Sequence, residues 1–225
     1  MAVQRPTLGR RAAAEALAAF ALVFAGCGAI VADARYEGAL GTVGIALVFG
    51  LIIMVMVYAT GHLSGAHINP AVTVAFTVTR HFPGRDAVAY IAAQSLGATA
   101  GALLLLAVWT DKPASLGATL PTVGTGSALV YEIVLTAFLM FVIMAVATDT
   151  RAVGAAAAIA IGGTVGLDAL FGGPVTGASM NPARSLGPAV AAGEWTDAWI
   201  YLVGPMLGAA VGAFAYQLVR GEPGA

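Results

Sequence analysis

Gly65-Ala66-His67-Ile68-Asn69-Pro70-Ala71 and Gly177-Ala178-Ser179-Met180-Asn181-Pro182-Ala183 are two versions of one stretch, and their placement decides the fold. The two asparagines stand 112 positions apart in a chain of 225 residues, so each half carries one copy in a matching place. A motif repeated in register between the halves of a very apolar chain predicts a duplicated membrane protein. Its functional site is then expected where the halves meet.

Composition supports the membrane reading. Hydrophobic residues make up 60% of the chain and charged residues 9%, against about a quarter charged in soluble domains. The 29 glycines suit helices that must approach closely in lipid. A net charge of -1 offers no basic surface, so no nucleic-acid partner is expected. Cys27 is the only cysteine, which excludes an internal disulfide and leaves it a helix-packing role. Arg10-Arg11 followed by an apolar run up to Phe24-Ala25-Gly26-Cys27 resembles a lipoprotein leader. Glu15 interrupts that run, and its removal would unpair the two halves, so the segment is read as a retained first helix.

Six apolar segments are long enough to cross a hydrocarbon core, which takes about 20 helical residues. They fall near residues 12–32, 40–60, 86–109, 127–148, 152–171 and 196–219, with breaks at Gly38-Ala39-Leu40-Gly41, Thr110-Asp111-Lys112-Pro113, Asp149-Thr150-Arg151 and Glu194-Trp195-Thr196-Asp197. Residues 1–225 are expected to form one transmembrane domain. Its repeats, 1–110 and 127–225, are joined by loop 111–126. Three crossings per half invert the second repeat relative to the first. With the N-terminus inside, Arg5, Arg10, Arg11, Arg80, Arg85, Arg151 and Arg220 are cytoplasmic, while only Arg35 and Lys112 fall outside. This positive-inside bias predicts a multi-pass protein of the cell (inner) membrane with both termini cytoplasmic.

Neither Asn-Pro-Ala segment can span. Pro70 to Thr79 gives about 15 Å of helix, and Pro182 to Val190 slightly less. Asparagine is a favoured N-cap and proline a favoured first helical residue, so each motif starts a half-helix. Inverted symmetry brings the two N-termini together at mid-membrane, each with about half a positive charge. Both asparagine amides then aim donors at the path between them. Backbone carbonyls of Gly65, Ala66, His67, Gly177 and Ser179 are expected to line the same path, since irregular backbone at this depth needs a cavity. Such a lane suits small neutral hydrogen-bonding molecules and rejects cations, protons included.

The residues from Gly61 to Thr73 and from Thr176 to Ser185 resemble the two signatures of the aquaporin (major intrinsic protein) family. The likeness covers the whole chain and implies six spanning helices with two re-entrant half-helices, an all-α membrane fold. It implies an outer constriction at Phe49, Ala169, Ala178 and Arg184, with Phe49 and Arg184 as its two bulky walls. Family members specialised for water usually carry histidine at the place of Ala169, so a wider and less polar filter is implied here. The run from Leu167 to Met180 looks most like the nodulin-26-like branch and its bacterial relatives, associated with glycerol and neutral metalloid acids such as arsenite and boric acid. Ser185 stands where glycerol facilitators typically carry aspartate, and Phe49 differs from the commonest plant members. Water, glycerol and metalloid acids therefore all stand as expected solutes. The family also implies a homotetramer with one pore per subunit.

Glu15 and Glu132 lie in the first helix of each half. They are read as acceptors for N–H groups of the re-entrant loops rather than as proton-coupling sites. Asp168, one step round the helix from Ala169, is read as a hydrogen-bonded structural acid. His67 is expected to order its loop. His62 either lines the cytoplasmic vestibule or ends a helix, and His81 is a surface residue or a gate titrating near neutrality. Met54, Met56, Met140 and Met144 are read as packing. No cofactor or metal site is expected. Two functions compete: a passive channel, and an ion- or proton-coupled transporter built from inverted repeats. No acid lies within either re-entrant segment, which favours the channel. The chain lacks the Gly-x-Ser-x-Gly and His-Glu-x-x-His patterns of an intramembrane enzyme, so enzymatic activity is not expected.

Overall fold

A computed structural model describes residues 6–149, 151–152 and 156–221. Arg5 and Thr150, used above for orientation and helix punctuation, lie outside the described residues. The architecture is all-helical, in the order α1 (Leu8–Arg35), α2 (Gly41–Ser64), α3 (Pro70–Val78), α4 (Gly84–Val108), α5 (Thr125–Thr148), α6 (Ala157–Thr176), α7 (Pro182–Ala192) and α8 (Ile200–Val219). Six of these, all but α3 and α7, are long and apolar enough to cross a membrane.

Each half folds around one tight helix pair, α1 on α4 and α5 on α8, while α2 and α6 pack across the halves. Glycine makes these contacts possible, because backbone meets backbone where no side chain intervenes. A Cβ on Gly97 would stand 2.0 Å from the Ala16 carbonyl oxygen, and one on Gly212 2.3 Å from that of Ala137. At the α2–α6 crossing a Cβ on Gly50 would lie 2.7 Å from the Gly162 carbonyl oxygen.

The helix ends depart from expectation where proline and glycine act in combination. Residues 182–190 were expected to give the shorter half-helix, yet α7 has 11 residues and α3 has 9. Pro188 does not stop α7, which ends only at Gly193 with a left-handed φ of 76°. The fifth spanning helix begins at Ala157 rather than 152 and continues through Pro174 to Thr176. Its final carbonyls find partners in the connecting loop, where Thr122 donates from its backbone N–H to Val175 O and from its hydroxyl to Pro174 O. Loop 111–126 is thus more than a joint. It folds over the end of α6 and buries Leu116 completely.

Candidate functional site

The two Asn-Pro-Ala segments build the centre of the molecule from one repeated set of contacts. Asn69 and Asn181 both have extended backbone (φ -152°) and cap the half-helices that follow them. The Asn69 side-chain oxygen accepts from Ala71 N at 2.9 Å, and that of Asn181 from Ala183 N at 3.0 Å and Arg184 N at 3.3 Å. Pro70 and Pro182, which have no N–H to leave unsatisfied, occupy the first helical positions.

The amide nitrogens reach across to the opposite motif. Asn69 Nδ2 donates to Met180 O at 2.7 Å and Asn181 Nδ2 to Ile68 O at 2.9 Å. Sequence reasoning aimed both amides wholly at the lane, but these two bonds latch the halves together. An amide nitrogen carries two hydrogens, so one remains on each asparagine for a passing molecule.

Leading into each motif, the backbone turns through left-handed conformations. Gly65 (92°) and Gly177 (85°) adopt positive φ at no steric cost, but Ala66, Ile68, Ala178 and Met180 also have positive φ. Side chains satisfy the N–H groups this exposes. Glu15 accepts from His67 N at 2.9 Å, Ile68 N at 2.6 Å, the Ser64 hydroxyl at 2.6 Å and Gln94 Nε2 at 2.8 Å. Glu132 accepts from Ser179 N and Met180 N, each at 2.9 Å, and from the Thr176 hydroxyl at 2.7 Å. Both acids are fully buried.

Several members of this support were not foreseen. Tyr90 donates to Ser64 O at 2.7 Å and Tyr201 to Thr176 O at 2.6 Å, closing the ends of α2 and α6 identically. The offset that separates the motifs also relates Ser64 to Thr176, so the pairing was available to a search at that spacing. His67 bonds Thr73 Oγ1 through Nδ1 at 3.1 Å, with its ring between Phe76, Phe82 and Tyr90. His62 and His81 are exposed.

A cavity runs past the motifs. Its polar side consists of Gly65, Ala66, His67, Ile68, Asn69, Ala178, Ser179, Met180, Asn181 and Arg184. Its apolar side takes Leu22 from α1, Phe49, Ile53 and Val57 from α2, Leu139, Ile143 and Ala147 from α5, and Ile161, Val165 and Ala169 from α6. The spacing of four residues within α2, α5 and α6 stacks one side chain per turn along the lane. That stripe is traceable in the sequence from Phe49 and Ala169 by steps of four residues. Gly177, expected along this path, lies instead in an adjoining outer cavity that it shares with Phe49, Ala169, Ala178 and Ile30. Its left-handed turn ends α6 one step before the lane proper.

Phe49, Ala169 and Ala178 line both cavities, and Arg184 lines the first one against Phe49. Phe49 and Arg184 are not separate walls, however. The guanidinium carbon lies 4.9 Å over the Phe49 ring centroid, so the two form one continuous surface held by cation–π attraction. Arg184 Nη1 donates to Gly117 O at 2.8 Å. Loop 111–126 therefore supplies an anchor that nothing in its sequence announced.

Asp168 departs most from expectation. It is fully buried, and neither carboxylate oxygen has a hydrogen-bond partner among the described residues. One helical step turns it off the lane as expected, but the packed surroundings of α6 offer it no donor.

Comparison with known proteins agrees with this geometry. A family model described as Major intrinsic protein matches residues 2–216. Aquaporin NIP1-1 of Zea mays is 51% identical over 207 residues, spanning 92% of this chain and 73% of the relative. Nodulin-26 of Glycine max is 49% identical over 207 residues, spanning 92% and 76%. Among solved structures, the aquaglyceroporin from Plasmodium falciparum superposes with a TM-score of 0.83 at 26% identity, covering 95% of this chain and 97% of that one.

Proposed function

Because the chain belongs to the major intrinsic protein family, and is a multi-pass membrane channel for water and small uncharged solutes rather than an enzyme, we propose that Phe49, Ala169, Ala178 and Arg184 form its selectivity filter. The filter admits glycerol and neutral metalloid acids such as boric or arsenous acid beside water. The observation that carries this reading is the pair of methyl groups, Ala169 and Ala178, in the same constriction as a stacked Phe49–Arg184 pair. A solute with hydroxyls on one side bonds to Arg184 and the loop carbonyls while its carbon side lies against the apolar side chains of α5 and α6. Nothing in this filter calls for a molecule as small as water.

Asn69 and Asn181, with Pro70, Ala71, Pro182 and Ala183 starting the half-helices behind them, are the cation barrier at mid-lane. Glu15 and Glu132 act as loop supports, a reading supported by the two backbone N–H groups that each accepts from a re-entrant loop, so a coupled transporter is not favoured. The repeats 1–110 and 127–225 are taken as inverted halves of one domain. The protein is proposed to sit in the cell (inner) membrane as a homotetramer with cytoplasmic termini, on the arginine distribution and the family resemblance.

Stopped-flow swelling and shrinking of proteoliposomes tests the filter directly. Wild type is expected to pass glycerol, boric acid or arsenous acid as well as water. Ala169→His, which narrows the filter and adds a donor, is expected to depress the larger solutes far more than water. Fast water flux with exclusion of every larger solute by the wild type would leave a strict water channel and end the wide-filter reading.

A further inference from the structure

The aromatic wall of the constriction is seated on a residue that never touches the lane. Gly26 lies on α1 one helical turn from Leu22, which lines the central cavity, and one turn from Ile30, which lines the outer one. At the level between them the Phe49 ring covers α1. A Cβ built on Gly26 would stand 2.3, 2.6 and 2.7 Å from Cε1, Cδ1 and Cζ of that ring. Unstrained carbon contacts are about 3.5–4.0 Å, so the ring occupies space that any side chain at position 26 would claim.

We infer that Gly26 is a specificity-determining position, because the recess it leaves in α1 lets the Phe49 ring withdraw from the lane and lie under the Arg184 guanidinium. The backbone that carries the ring is itself held close to a neighbouring helix. Its helix, α2, is already in backbone contact with α6 at Gly50 and Gly162, so α2 cannot back away. Displaced from α1, the ring moves into the lane and loses its stacking on Arg184. The next residue of α1 fixes the other half of the pair. A Cβ on Gly117 would stand 2.7 Å from Cys27 Cβ, and the Cys27 thiol donates at 3.8 Å to the same Gly117 carbonyl that anchors Arg184. The step Gly26-Cys27 thereby positions both bulky members of the constriction from behind.

This inference rests on the reading of Phe49, Ala169, Ala178 and Arg184 as the filter. The test measures glycerol and water permeability of the same proteoliposomes for wild type, Gly26→Ala, Phe49→Leu and the double variant. Gly26→Ala is expected to lower the glycerol-to-water ratio by about tenfold or more, the scale of discrimination that one added methyl group provides in a tight pocket. Phe49→Leu, which removes the ring, is expected to restore the ratio in the double variant. An unchanged ratio in Gly26→Ala, with Phe49→Leu and Ala169→His still altering it, overturns the role of Gly26 and leaves the filter standing. Unchanged ratios in all of these variants overturn the filter itself. Should Gly26→Ala fail to reconstitute, a double variant that folds and conducts like Phe49→Leu alone supports the steric link. A double variant that also fails overturns it, since the methyl group then meets something other than the ring.

Discussion

Replacing Glu132 with glutamine probes whether the buried acids hold the loops or work in transport. The carboxylate uses both oxygens as acceptors: Oε1 takes the Thr176 hydroxyl and Ser179 N–H, and Oε2 takes Met180 N–H. Glutamine has one acceptor oxygen, so its amide nitrogen must face the Met180 N–H, donor against donor. One orphaned buried N–H costs about 1–3 kcal/mol, and each surviving bond loses about 1 kcal/mol of charge assistance. Relief from burying a charge offsets part of this, leaving a destabilisation of about 2–4 kcal/mol. For a chain of this length that corresponds to a fall in unfolding midpoint of about 5–15 °C. Sequence alone could not show that both oxygens are engaged. Glu15→Gln is expected to cost about as much, since the new amide faces the Ile68 N–H, and turning Gln94 to offer its Oε1, which has no partner among the described residues, gives up the Gln94 bond to Thr73. Thermal unfolding in detergent, with flux per folded protein in vesicles, measures both effects. Normal flux per folded molecule at a lowered midpoint is expected. Lost flux at an unchanged midpoint would place the acids in the transport path and refute the support role.

Arg184→Ala is expected to keep neutral-solute flux but let vesicles lose a proton gradient faster than wild type, measured with an entrapped pH dye. Asp168→Asn replaces a buried carboxylate that has no partner by a neutral isostere, so a raised unfolding midpoint at unchanged flux is expected. Asp149 follows α5, and its carboxyl is held well below the usual carboxylate range, first by the Arg151 side chain, then by the Arg151 N–H and the Tyr216 hydroxyl. A depressed folded value stabilises at any pH above the ordinary carboxylate range and is lost only as pH falls through the folded value. Asp149→Asn should therefore lower the midpoint at neutral pH, and the difference from wild type should close only in strong acid.

The fold was legible because its strongest signals are local. Asn-Pro fixes a helix start wherever it occurs, and lengths of apolar sequence fix the spans. The shared offset of the two motifs then fixes how the halves correspond. What escaped depends on contacts between distant residues. No local rule marks Gly117 as the anchor of Arg184, because a carbonyl is common to every residue and only the path of loop 111–126 presents this one. The family resemblance implied a place for Phe49, but its stacking on Arg184 depends on a gap in α1 that the sequence shows only as one glycine among 29. Asp168 was misjudged for a related reason. A buried acid is normally partnered, and only the packed surroundings reveal that this one is not.

The same distant contacts support the proposal that the lane carries water without relaying protons. The amide end of each motif asparagine both accepts and donates, and the fold commits its oxygen and one of its two hydrogens. The oxygen caps its own half-helix, and one hydrogen latches the opposite loop. The amide cannot rotate to offer an acceptor without breaking both, so a single donor per asparagine faces the lane. A water between two such donors turns its oxygen towards both and points its hydrogens away along the lane, where loop carbonyls and neighbouring waters accept them. Proton relay needs each water to accept on one side and donate on the other, and a water held this way can do only the second. The half-helix N-termini add about half a positive charge each at the same level, which opposes an arriving hydronium as it opposes any cation. Polarity inversion and charge thus act at one point, and both follow from starting two helices with Asn-Pro at the meeting of the halves.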